Sequence, residues 1–200
     1  MSETDLEQME GLCVEGCERC PDLVESRSRI VNGVGPEDAD VVFVGEGPGA
    51  NEDEQGEPFV GRSGDVLDGA LADHGLRRQD VRITNCVRCR PPENRDPTDE
   101  ELANCRPYLE AELERISPEV VVALGKVPAQ HLLGRDVAVT KEAGTVEPVQ
   151  VGDVRLDVLV CVHPAATLYD RSQEATFEST IETAATIVGA EGGQSSLGDF

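Results

Sequence analysis

Tryptophan is absent from the 200 residues, and with four Phe and two Tyr the aromatic share is 3%. A site that needs a flat apolar platform therefore has few candidates, which makes each Phe informative. Lysine is nearly missing as well: Lys126 and Lys141 are the only two, so 15 of the 17 cationic residues are arginines. No apolar run approaches the ~18 residues of a membrane-spanning helix. The opening Met1-Ser-Glu-Thr-Asp-Leu-Glu7 has neither the basic nor the apolar region of a secretion signal, so a cytoplasmic location is expected. Positive charge is scarcest of all. Forty Asp and Glu face 17 Lys and Arg, for a formal net charge of −23. Alone, that balance argues against a nucleic-acid partner, since phosphates repel an acidic surface. The acid is scattered rather than gathered in a tail, which fits a halophilic cytoplasm, where the Debye length shrinks to about 3 Å at 1 M salt. A disordered acidic chain is excluded, because 38% of the residues are hydrophobic and cluster in strand-like runs. Seven cysteines cannot all pair, and in a cytosolic chain they suggest metal ligation or catalysis.

The length suits one domain, set at residues 1–190, followed by a small polar tail at 191–200. A short acidic helix is expected over residues 1–12. Apolar runs at 40–45, 81–85, 118–124 and 155–162 read as buried strands. Helices are expected at 63–74, after Thr98, at 127–133 and at 173–188. Thr98-Asp-Glu-Glu101 is a capping box that fixes the start of the second of these. Strands alternating with helices predict a three-layer α/β sandwich with a central, mostly parallel sheet of about four strands. Ligands of such sheets bind beyond the strands' carboxyl ends. Gly45-Glu46, Asn85 and His163 all fall there.

Gly45-Glu-Gly-Pro-Gly49 follows a strand but lacks both the Gly-Lys-Ser/Thr of a P-loop and the full G-x-G-x-x-G spacing. The longer string through Phe59-Val-Gly-Arg-Ser-Gly64 is more specific. With Thr84-Asn-Cys-Val-Arg-Cys-Arg-Pro-Pro-Glu-Asn-Arg-Asp-Pro97, Cys105-Arg-Pro-Tyr-Leu109 and His163-Pro-Ala-Ala166, it resembles the family 4 uracil-DNA glycosylases, the iron–sulfur branch of the uracil-DNA glycosylase superfamily. These blocks fall in the family's order across residues 13 to 170.

The resemblance implies an enzyme of base excision repair that flips uracil out of DNA and hydrolyses its N-glycosidic bond, leaving an abasic site. Phe59 would stack on the pyrimidine. Asn85 would read it, since one amide donor and one acceptor match uracil O4 and N3–H. His163 would meet the charge developing on O2. Glu46 would orient water or stabilise the cationic sugar, with Glu52 as a rival carboxylate. Backbone at Gly45 and Gly47 would approach the base closely.

Cys17-Glu-Arg-Cys20, with Cys89 and Cys105, would by spacing alone suit zinc or an iron–sulfur cluster. The resemblance assigns these four to a 4Fe-4S cluster and makes Cys86, which forms a C-x₂-C of its own with Cys89 and could compete as a ligand, a small buried hydrophobe. Arg88, Arg90 and Arg95, in a loop that also follows Arg82 and precedes Arg106, are expected to hold the DNA backbone, and Leu168 to wedge into the base stack. Gln194, Leu197 and Phe200 are similar to a peptide that docks on DNA sliding clamps. The chain is expected to be a monomer. The alternatives are a glycosylase of the same scaffold for another damaged base and a non-catalytic iron–sulfur protein that binds DNA.

Overall fold

The computed structural model describes residue 6 and residues 8–192. The chain order is β1 (Met9–Glu10), β2 (Cys13–Val14), α1 (Pro21–Ser26), β3 (Val41–Gly45), α2 (Ala50–Gln55), α3 (Arg62–Asp73), β4 (Arg82–Asn85), α4 (Asp99–Ile116), β5 (Val120–Leu124), α5 (Lys126–Leu133), α6 (Val139–Glu142), β6 (Val146–Val151), β7 (Val154–Cys161), α7 (Pro164–Tyr169) and α8 (Ser172–Gly192). The main sheet has the order β4-β3-β5-β7-β6. Its first four strands are parallel, and β6 runs antiparallel along β7 at the edge.

Side-chain alternation along the strands builds two cores. Val42 and Val44 of β3, with Val121 and Ala123 of β5, face Leu109 and Leu113 of α4 and Ala129 and Leu132 of α5. Val41 and Phe43, with Val120 and Val122, face Leu67 and Leu71 of α3 and Phe177 and Ile181 of α8. A strand buried on both sides needs an unbroken apolar run, which is why Val41–Gly45 and Val120–Leu124 are buried at every residue. The capping box of α4 forms as expected: Glu101 N donates to Thr98 Oγ1 at 3.2 Å, and Thr98 N donates to Glu101 Oε2 at 2.8 Å.

Two local expectations need correcting. The described part of residues 1–12 is not a helix; it enters the β1–β2 hairpin. The sheet has a fifth strand, β6, whose Pro148 lacks the amide a central strand requires and is tolerated only at an edge. Chain order reverses between β3 and β5, with β4 on the far side of β3. A crevice at the carboxyl ends belongs at that switch point.

Candidate active site

β3 ends at Gly45 and β4 at Asn85, and these two residues are direct partners. The ladder continues past them, with Cys86 N donating to Gly45 O at 2.8 Å and Val87 N to Glu46 O at 3.1 Å. His163 stands two residues beyond the end of β7. Glu46, Gly47, Phe59, Asn85 and His163 line one cavity of about 200 Å³, joined there by Gly49, Glu52 and Ser63. That is below the ~300–1,000 Å³ of drug-sized sites, so it suits a single small ring.

Gly45 lies against this cavity's walls. A Cβ at that position would sit 2.4 Å from Asn85 Oδ1 and 2.6 Å from Phe59 Cε2, so only glycine fits. Phe59 itself holds a left-handed φ of 53°. Gly64 makes room for that turn, because a Cβ there would meet Phe59 O at 1.9 Å. The Phe59 ring packs beside His163, with centroids 5.8 Å apart and planes inclined by 30°.

The polar groups are differently prepared. Asn85 is buried, yet its carboxamide has no hydrogen-bond partner among the described residues, which leaves donor and acceptor for a ligand. His163 caps α7, its Nδ1 accepting from Ala165 N at 3.1 Å. An accepting Nδ1 places the ring proton on Nε2. Burial holds this imidazole down to about 4, so at neutral pH it is an uncharged Nε2–H donor. Burial pushes Glu46 up to about 7, and Asp96 adds to the rise by repulsion and hydrogen bonding. Glu52 Oε2 is occupied, accepting from Gly49 N at 3.1 Å at the start of α2. Both carboxylates line the cavity, and Glu52 is the one with a backbone partner.

Cys17, Cys20, Cys89 and Cys105 line a second cavity with Arg27, Arg88 and Tyr108. Cys86 does not line it and sits in the core beside α4 and α5; Cys161 sits in the opposite core, and Cys13 is exposed. Arg27 Nη1 donates to Cys89 Sγ at 2.9 Å, Arg27 Nη2 to Cys17 O at 2.7 Å, and Asn104 Nδ2 to Cys20 Sγ at 3.5 Å. Burial pushes the Cys20 and Cys89 thiols up, and Cys105 up to about 12. Among the described residues, no three His, Cys, Asp or Glu side chains converge tightly enough to hold a single metal ion.

The chain belongs to the uracil DNA glycosylase superfamily. Its family model matches residues 32–185, a span that holds the whole strand-end cavity. The Type-4 uracil-DNA glycosylase of Archaeoglobus fulgidus is 41% identical over 191 residues, 94% of each chain. That of Thermotoga maritima is 45% identical over 163 residues, 80% of this chain and 82% of its own. That of Pyrobaculum aerophilum is 38% identical over 181 residues, 88% and 91%.

The arginine loop of this superfamily member departs from the expected DNA-backbone surface. Arg88 is 1% exposed and bonds Glu112 at 2.7 Å, so it cannot present itself to a phosphate. Arg82 is held by the same carboxylate. Arg95 forks onto Glu101 through two bonds of 2.7 and 2.8 Å, and Arg106 pairs with Glu110. Arg90 donates to Asn94 and has no ion pair among the described residues. Arg62 and Lys126 also stand exposed without one, each at the first residue of a helix beside the cavity. Sequence spacing missed both, because adjacency to the site arises only when α3 and α5 dock. Leu168 is exposed, and its neighbour Tyr169, absent from the sequence reading, is 85% exposed. Gln194, Leu197 and Phe200 lie outside the described residues.

Proposed function

We propose that the chain removes uracil from DNA by hydrolysing its N-glycosidic bond. The reading rests on one observation above all: Phe59, Asn85 and His163 line a single cavity at three strand ends. A flipped pyrimidine stacks on Phe59. Asn85 donates to O4 and accepts from N3–H; cytosine presents the reverse pattern and leaves a buried amide unpaired, a discrimination of ~10⁴ or more. As the bond between base nitrogen and sugar carbon breaks, its electron pair passes to the base. The neutral His163 Nε2–H meets the charge on O2. Water adds to the cationic sugar carbon, with Glu46 as the carboxylate that orients it and takes its proton. Arg62, Arg90 and Lys126 are cations with no ion pair among the described residues and can meet phosphates, and Leu168 with Tyr169 form an exposed apolar tip suited to fill the vacated stack.

Cys17, Cys20, Cys89 and Cys105 are assigned to a 4Fe-4S cluster. Four thiols in one pocket are the donor set such a cluster requires, donors already aim at two of the sulfurs, and a multi-iron body keeps its ligands farther apart than one ion does. Bound there, the cluster supplies a rigid cross-link between the N-terminal segment, the loop after β4 and α4.

The deciding experiment offers oligonucleotides bearing uracil, hypoxanthine or thymine to the iron-replete protein and measures free base. Uracil release with an intact abasic strand is expected. Release of hypoxanthine but not uracil selects another base on the same scaffold, and iron-bearing protein that binds DNA without releasing any base overturns the enzymatic reading.

A further inference from the structure

The loop from Asn85 to Cys89 joins the two cavities, and Arg88 lies within it. Its side chain is 2% exposed. One end is fully engaged: Nη2 donates to Glu112 Oε2 at 2.7 Å and Nη1 to Asn32 Oδ1 at 3.0 Å. Glu112, fully buried, also accepts from Arg82 Nε at 2.8 Å and from Thr84 Oγ1 at 2.9 Å. Thr84 immediately precedes Asn85 in β4.

The other end is unsatisfied. Arg88 lines the four-cysteine cavity, and its Nε is buried with no hydrogen-bond partner. A buried guanidinium nitrogen without an acceptor is costly. Charge gives an independent indication. Arg82 and Arg88 place two positive charges against the single carboxylate of Glu112, all three residues at most 5% exposed. An excess buried charge is strongly unfavourable unless an anion lies beside it. Thiolates holding a cluster supply that anion on the side where Nε has no partner.

We propose that Arg88 is a positioning residue that ties the thiolate-held cluster to the base-reading strand, Nε donating to the cluster and Nη2 holding Glu112 against Thr84 beside Asn85. The proposal rests on the assignment of the cluster to the four cysteines. It makes the cluster more than a staple for the N-terminal segment, because its charge also satisfies the network that sets the end of β4. Donors to cluster sulfurs favour the more electron-rich state and raise the reduction potential. Removing Arg88 and removing the charge of Glu112 therefore act in opposite directions, which a merely structural role does not produce.

The test is an EPR-monitored redox titration of the iron-replete wild type, Arg88→Met, Arg88→Lys and Glu112→Gln, with steady-state uracil excision measured beside it. Arg88→Met should move the midpoint potential to more negative values, Glu112→Gln to more positive values, and Arg88→Lys should return part of the way to wild type. KM should rise more than kcat falls in Arg88→Met. Potentials unmoved in folded, iron-replete variants, or moved in the same direction, overturn the role of Arg88 and leave the cluster assignment standing. Should Arg88→Met not fold, the sign for Glu112→Gln decides alone. Wild-type protein that excises uracil but contains no iron overturns the cluster assignment and this proposal together, while excision itself stands.

Discussion

Replacing Gly45 by alanine tests the geometry of the base pocket with one methyl group. Ordinary contact begins at 3.4 Å, so from distances of 2.4 and 2.6 Å the Asn85 Oδ1 must retreat by about 1.0 Å and the Phe59 ring by about 0.8 Å. Neither retreat is free: the Asn85 side chain is buried, and Phe59 is packed beside His163. A misplacement of about 1 Å in a reacting assembly costs ~10²-fold in rate, and the altered amide also loosens base discrimination. Single-turnover excision from a uracil oligonucleotide should therefore fall about 10²-fold in Gly45→Ala. Gly69→Ala is the control, because nothing lies within 4 Å of a Cβ there. It should gain up to ~1 kcal/mol of helix stability in α3 and keep full activity. A folded Gly45→Ala protein within about threefold of wild type, far short of that ~10²-fold loss, refutes the placement of Asn85 and Phe59 around the substrate.

In the proposed role Glu46 works as the ionised carboxylate, so activity should climb as pH rises through about 7. In Asp96→Asn this climb should begin at lower pH, though short of an ordinary carboxylate's range, because burial is the larger cause and remains; an unmoved limb in the rate profile counts against the pair. His163→Ala should lose ~10²–10³-fold in kcat, checked by single-turnover kinetics with circular dichroism to confirm folding. Thr98→Ala removes the cap of the helix that carries Cys105 and should cost about 1 kcal/mol, read as a fall of about 2–4 °C in Tm. Moving from 1 M to 0.1 M salt lengthens screening from about 3 to about 10 Å. With a net charge of −23, the melting temperature should fall on that dilution, and an unchanged one argues against a high-salt origin.

The strands and the long helices were legible because each rests on local information: β-branched runs for Val41–Gly45 and Val120–Leu124, a capping box for α4. The cavity residues were legible as strand-end positions carrying unusual side chains, and the structure brings Phe59, Asn85 and His163 together. What escaped was anything decided by the partner across the fold. Arg88 looks in sequence like one more loop cation; Glu112, 24 residues on, makes it an interior residue. β6 was hidden by Pro148. That Gly49 N engages Glu52, which bears on the proposed preference for Glu46, is likewise something spacing does not reveal.

The cap on α7 has a consequence for how catalysis finishes. A backbone amide, rather than an acidic side chain, steadies the His163 ring, and burial disfavours a second proton on it. Under the proposed role the ring steadies an anion through its Nε2–H and keeps that proton. Uracil would then depart as the anion, and the proton that Glu46 takes from water in the same cavity is the one at hand to neutralise it, so turnover would depend on that carboxylate giving its proton up again.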